Sequence, residues 1–318
     1  MKSILFTFIT LCGSIYIANQ APARVVKLID LADQLKTEFA NNYWSEWSQM
    51  DMPLLLVGDE REFVFNSEVK DSTFEVNNTN NASRASTFNK HFLATFPLLN
   101  SKPTIVVGTP ENTNKTPEAW TVTLLHEHFH QLQMNHPNYY SAQKALNLDK
   151  GDQTGMWMLN HPFPYEDEKV NLQMKKMAIN LTSSGSMDPS IVLQNHKKEK
   201  AALHEIIGDE HYKYLNMQLW QEGYARFIEI EITNDWLDHF DEIKQDQFTK
   251  IEIENLVNEQ QEQIIIHLKQ SSPKELKRVY FYALGAAEAS LISKTNRNWK
   301  QEYFENLFTT DHLLKLNP

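Results

Sequence analysis

From residue 24 onward the apolar positions fall three and four apart. Val25, Leu28, Leu31, Leu35 and Phe39 make one stripe, which predicts a helix over residues 24–47. The period then shortens. Pro53-Leu54-Leu55-Leu56-Val57 and Glu62-Phe63-Val64-Phe65 read as strands joined by a hairpin turn at Gly58-Asp59-Glu60-Arg61. Thr73-Phe74-Glu75-Val76 reads as a third strand. Thr104-Ile105-Val106-Val107-Gly108 reads as another, ended by glycine and by Pro110. Residues 77–83 read as a polar loop, with N-x-[ST] sequons at Asn77 and Asn81 that matter only in a eukaryotic host.

After residue 116 the pattern is helical. Trp120, Leu124 and Leu132 mark a helix over 116–134, stopped at His136-Pro137. Residues 135–155 are rich in turn formers. Val170, Met174, Met177, Ala178 and Leu181 predict an amphipathic helix over 165–181, and 183–186 a short linker. Residues 197–233 form a long helical region with a break expected near Gly208, and 243–268 and 273–293 are two more helices. The fold class is therefore α+β. A helix and small β-sheet occupy 24–115, and a mainly α-helical region occupies 116–318, with an inserted helical segment at about 135–200.

Residues 1–23 have the pattern of a secretory signal: Lys2, an apolar run from Ile4 to Leu11, then the small residues Ala18, Ala21 and Ala23. Cys12 is the only cysteine, and Leu11 before it is too large for a lipoprotein site. The expectation is a secreted or periplasmic protein without disulfides. A net charge of −11 leaves no basic footprint for nucleic acid. No second apolar run is long enough for a span, so the mature chain is expected not to cross a membrane.

The centre of the 116–134 helix reads His126-Glu127-His128-Phe129-His130, an H-E-x-x-H pattern. Thr116 is its expected N-cap, Pro117 suits its first turn, and Glu118 complements the dipole there. Histidines four apart leave one face of a helix one turn apart, so both imidazoles can bind one Zn²⁺. Glu127 is rotated about 100° from His126 and can act on a water beside the metal as a general base. His128 points off the ligand face and reads as a bystander or as a support to the ligands. Two histidines leave zinc one protein ligand short. Glu222, in Leu219-Trp220-Gln221-Glu222-Gly223-Tyr224-Ala225, is one candidate; close packing of its helix on the zinc helix would account for Gly223. Glu222 could equally be a surface residue paired with Arg226. His161, His204 and His211 are rival donors, the last two sharing a helix face at seven-residue spacing.

His126-Glu127-x-x-His130, followed by Trp220-x-Glu222-Gly223-x-Ala225, resembles the gluzincin metallopeptidases, especially the aminopeptidase N-like group, over residues 100–292. The resemblance implies a thermolysin-like catalytic region with Glu222 as third zinc ligand. Val279-Tyr280-Phe281-Tyr282-Ala283-Leu284-Gly285 is similar to the segment whose tyrosine stabilises the oxyanion, which implies Tyr282, with Tyr280 the alternative. Trp220 stands one residue nearer the glutamate than in the usual form. Glu222 follows His130 by 92 positions, a longer gap than the family's. The G-x-M-E-N signature that holds a substrate amino terminus is absent. Glu229 is either a support to the site or a surface residue. The expected function is zinc-dependent hydrolysis of a peptide or protein substrate by a zinc-activated water. The alternatives are a zinc-containing protein that binds a ligand or partner without hydrolysis, and a helical interaction protein with no metal.

Overall fold

The computed structural model describes residues 20–78, 81–152, 154–183 and 185–316. Residues 1–19 of the expected leader, Cys12 among them, lie outside the described residues. The protein is α+β, about 59% helical, with one mixed sheet of six strands. Two compact units divide the chain. One runs to Asn41 and from Ser45 to Gln131; the other holds Asn42–Trp44 and the chain from Leu132. No helix among the described residues is long and apolar enough to cross a membrane.

In the first unit, α1 (Ala23–Phe39) buries the stripe Val25, Leu28, Leu31, Leu35 and Phe39 and is followed by a 3₁₀ turn and the short α2 (Ser45–Gln49). The strands are β1 (Leu54–Val57), β2 (Arg61–Phe65), β3 (Glu75–Asn78), β4 (Asn81–Ala85), β5 (Leu93–Pro97) and β6 (Pro103–Gly108), in sheet order β3-β4-β2-β1-β6-β5. The hairpin forms with Leu54 opposite Phe65, and the Gly58 amide donates to the Arg61 carbonyl at 2.9 Å. A β-carbon on Gly58 would stand 2.8 Å from that oxygen, so the turn requires glycine. β1 runs parallel to β6 and all four of its residues are buried, as expected for a strand covered on both faces.

The sheet corrects the expectation of a polar loop over 77–83. Asn78 pairs with Asn81, and β4 pairs with β2 on its other side. Pairing on an existing strand overrides the weak strand preference of asparagine. β5 was not foreseen. It lies at the sheet edge and ends at Pro97, a position where a missing N–H costs no ladder bond.

The last helix of this unit, α3 (Pro117–Asn135), continues past Gln131. The second unit adds α4 (Tyr139–Ala145), α5 (Trp157–Asn160), α6 (Glu168–Thr182) and α7 (Pro189–Gln218). A π-helical turn at Leu219–Gly223 leads into α8 (Tyr224–Asp238). Then come α9 (Lys250–Ile265), α10 (Pro273–Leu276), α11 (Val279–Thr295) and α12 (Trp299–Glu302). α6 buries Val170, Met174, Met177, Ala178 and Leu181, the predicted stripe, and its cap is Asp167, which accepts from the Lys169 and Val170 amides. α7 kinks at Gly208, where φ is 74°. α11 is buried through Tyr280, Phe281, Ala283, Leu284, Ala289, Leu291 and Ile292, the apolar pattern of a helix inside the bundle.

One polar network lies in this apolar interior. Lys200 and Glu288 are fully buried and 3.2 Å apart. His196 Nε2 lies 2.6 Å from the other Glu288 oxygen. Lys200 also donates to Thr310 Oγ1 at 2.7 Å and pairs with Asp311 at 3.0 Å. Asp311 in turn accepts from Tyr212 at 3.0 Å and Asn216 at 3.1 Å. With each charge bonded several times, the network meets the condition for burying ions.

Candidate metal centre

α3 is pinned at both ends to the strands that precede it. The Thr116 carbonyl accepts from the Trp120 amide at 2.9 Å, and its hydroxyl lies 3.4 Å from the Ala119 amide, so Thr116 caps the helix. Trp120 Nε1 donates to the Gly108 carbonyl, the last of β6, at 2.9 Å. One and a half turns beyond the histidine pair's start, Gln131 Nε2 donates to the Pro53 and Pro103 carbonyls at 2.8 and 3.0 Å, at the entries of β1 and β6. Its Oε1 lies 2.6 Å from His128 Nδ1, which must carry the proton because an amide oxygen only accepts. Burial chiefly, against the pull of that bond, lowers the His128 pKa to about 4. His128 is thus a neutral residue bonded to Gln131.

His126 and His130 leave the opposite face with ring centroids 4.9 Å apart, nearly perpendicular. Both are 5% exposed. Glu127 between them is held by Thr95 of β5, whose hydroxyl is 2.8 Å from Glu127 Oε2 and 3.1 Å from its carbonyl. A hydroxyl has one proton, so it serves one of the two acceptors at a time.

Glu222 lies on the π-helical turn. Such a turn inserts one residue into the helix and releases carbonyls from the regular ladder. Side chains take up the released groups here. Gln133, one turn beyond His130 on α3, donates to the Trp220 and Gln221 carbonyls at 3.2 and 3.1 Å, and the Tyr303 hydroxyl donates to that of Trp220 at 2.6 Å. A nitrogen of His126, one of His130 and a carboxylate oxygen of Glu222 all lie within 4.8 Å of one another. Two imidazoles and a carboxylate are a donor set suited to zinc, with a fourth position left for water or substrate.

The reason for Gly223 differs from the one expected. Its backbone meets Gly285 of α11, not α3. A β-carbon on Gly285 would lie 2.6 Å from the Gly223 α-carbon and 3.1 Å from the Leu219 carbonyl oxygen. The π turn and α11 therefore touch main chain to main chain. Glu222 is not paired with Arg226, which instead meets Glu229 at 2.7 Å. Glu229 is buried and also accepts from Gln260 at 3.2 Å, so it is not a surface residue.

Glu222 Oε1 faces Arg278 Nη1 at 3.3 Å. The Arg278 guanidinium lies 5.3 Å from the ring centroid of Tyr282, one turn along α11. Burial opposes its charge, but Tyr282 and Glu222 more than offset this and raise its pKa. Tyr282 is half-buried beside this pair. Tyr280 is fully buried and its hydroxyl points to the Leu268 carbonyl at 3.5 Å, with burial raising its pKa.

The rival histidines are engaged elsewhere. His161 Nε2 lies 3.0 Å from His211 Nδ1, and its ring stacks on Tyr214. His204 stacks on Tyr212 and lies 2.8 Å from Asp209. His204 and His211 do not share the face their seven-residue spacing implied, because the Gly208 kink breaks the helical phase between them. Sequence reasoning missed Thr95, Gln133 and Arg278. Only Arg278 carried a signal, its four-residue spacing from Tyr282.

No family model matches the chain, and neither a curated protein nor a solved structure matches it.

Proposed function

We propose that the protein is a zinc-dependent metallopeptidase of gluzincin type with a thermolysin-like catalytic region, exported by its leader and acting on a peptide or protein. The observation that carries this reading is the convergence of His126, His130 and Glu222 within 4.8 Å on an H-E-x-x-H helix. Zinc bound there would acidify a water and polarise the substrate carbonyl.

The chain's own groups supply the rest. Glu127 takes the proton of the attacking water and delivers it to the leaving amine. The Thr95 hydroxyl holds one of its oxygens in place for this transfer. The Tyr282 hydroxyl is the donor to the developing oxyanion, a role Tyr280 cannot take while it is buried against Leu268. Cleavage of a mixed peptide library, with and without chelator, is the test. Turnover in wild type that disappears in Glu127→Gln supports hydrolysis. Zinc binding without turnover supports the non-hydrolytic alternative.

A further inference from the structure

We propose that Arg278 is a positioning residue that fixes how Glu222 binds the metal, holding one carboxylate oxygen so that the other alone meets the ion. The inference rests on the His126–His130–Glu222 reading and extends it to a residue outside its motifs.

A glutamate can bind a metal through one oxygen or through both. The choice sets the coordination number, and with it whether a position stays open. Glu222 Oε1 is already engaged, since Arg278 Nη1 lies 3.3 Å away and the side chains of the pair are 25% and 13% exposed. A half-buried guanidinium has several fixed donors and does not leave a carboxylate readily. Arg278 is itself anchored. It opens α11, whose Gly285 is in main-chain contact with Gly223, the residue after Glu222. Its guanidinium lies against the Tyr282 ring. One helix thus carries the group that orients the third ligand and the tyrosine offered as oxyanion donor. The contact through Gly285 fixes its distance from the π turn.

There is an electrostatic consequence. With neutral imidazoles, a divalent ion and Glu222 sum to one positive charge. Arg278 adds a second, and Glu127 removes one. The centre stays cationic, which favours an oxyanion forming there.

The test uses the full chain, loaded with Co²⁺ as a spectroscopic probe in place of zinc. Arg278→Gln is expected to weaken Co²⁺ affinity by about 10- to 100-fold, the range for loss of a partner to a metal ligand. Its d–d absorption should fall as Glu222 turns to two-oxygen binding and the coordination number rises. Arg278→Lys, which restores the charge without the fork, should recover part of both. Urea midpoints of the metal-free variants check that each is folded. Arg278→Gln with wild-type affinity and spectrum would overturn the proposal. Failure of the underlying reading looks different: His126→Ala and His130→Ala would then keep full Co²⁺ binding whatever Arg278→Gln does.

Discussion

Gly223 and Gly285 touch through their main chains, so neither position has room for even a methyl group. An alanine in a helix interior is ordinarily favoured over glycine by about 1 kcal/mol. Here the contact reverses the sign. Gly285→Ala places a β-carbon 2.6 Å from a backbone atom that cannot rotate away. The expected cost is about 2 kcal/mol or more, in the upper range of overpacking. Urea denaturation of Gly285→Ala measures it, and a variant as stable as wild type would show that the two helices separate freely. Because Glu222 adjoins the contact, metal affinity should fall together with stability.

The metal itself gives the second prediction. The purified protein should hold about one zinc per chain, and His126→Ala or His130→Ala should remove most of it. Glu222→Gln should weaken binding, while His161→Ala and His204→Ala should not, since those rings are bonded to other partners. Elemental analysis after exhaustive dialysis reads the result.

Binding and chemistry separate in the third. Glu127→Gln should keep the zinc and lose peptide hydrolysis. Tyr282→Phe should lower kcat about a hundredfold at unchanged zinc content, the scale for loss of one oxyanion donor. Tyr280→Phe should leave kcat nearly as it was. A kcat loss confined to Tyr280→Phe would exchange the two assignments.

The fourth concerns acid. Burial alone would raise the Glu288 carboxyl, but Lys200, His196 and Thr310 outweigh it and bring its pKa down to about 2, against 4.5 for the free group. A carboxyl lowered on folding adds stability that is present above the unfolded value. That stability is lost as pH falls through the folded value, so the window is about pH 4.5 to 2. Lys200 and His196 face Glu288 from α7, with Thr310 beside them and Asp311 across Lys200. Glu288→Gln should cost about 3–5 kcal/mol at pH 7, because it leaves Lys200 short of a counter-ion in an apolar interior. Its stability curve should be flatter than wild type between pH 4.5 and 2. Urea titrations of both proteins across that range compare the slopes.

Much of the site helix was legible, for local reasons. The Thr116 cap, the apolar stripe and the four-residue histidine spacing all lie within 19 residues and obey one period. Pairings between distant segments were not. Gly223 announced a close approach, but its partner is 62 positions later, and nothing in either heptapeptide fixes their register. The π turn was hidden because Leu219–Gly223 differs from a regular helix by one inserted residue, and its carbonyls are satisfied by Gln133 and Tyr303 from far along the chain. β5 was hidden because an edge strand of five residues ending in proline carries little alternation. The shared face of His204 and His211 was lost for the opposite reason: the break expected near Gly208 lies between them and was not carried into their seven-residue spacing.

The Lys200–Glu288 network also limits how the helical unit can close. α7 and α11 both precede Thr310 and Asp311 along the chain. Until those two join them, a lysine and a glutamate buried in the helical unit lack two of their partners, so dry closure around them waits for residues 310 and 311. A chain truncated after residue 300 should therefore remain loosely packed and open to protease around α7. A chain that includes Asp311 should resist it.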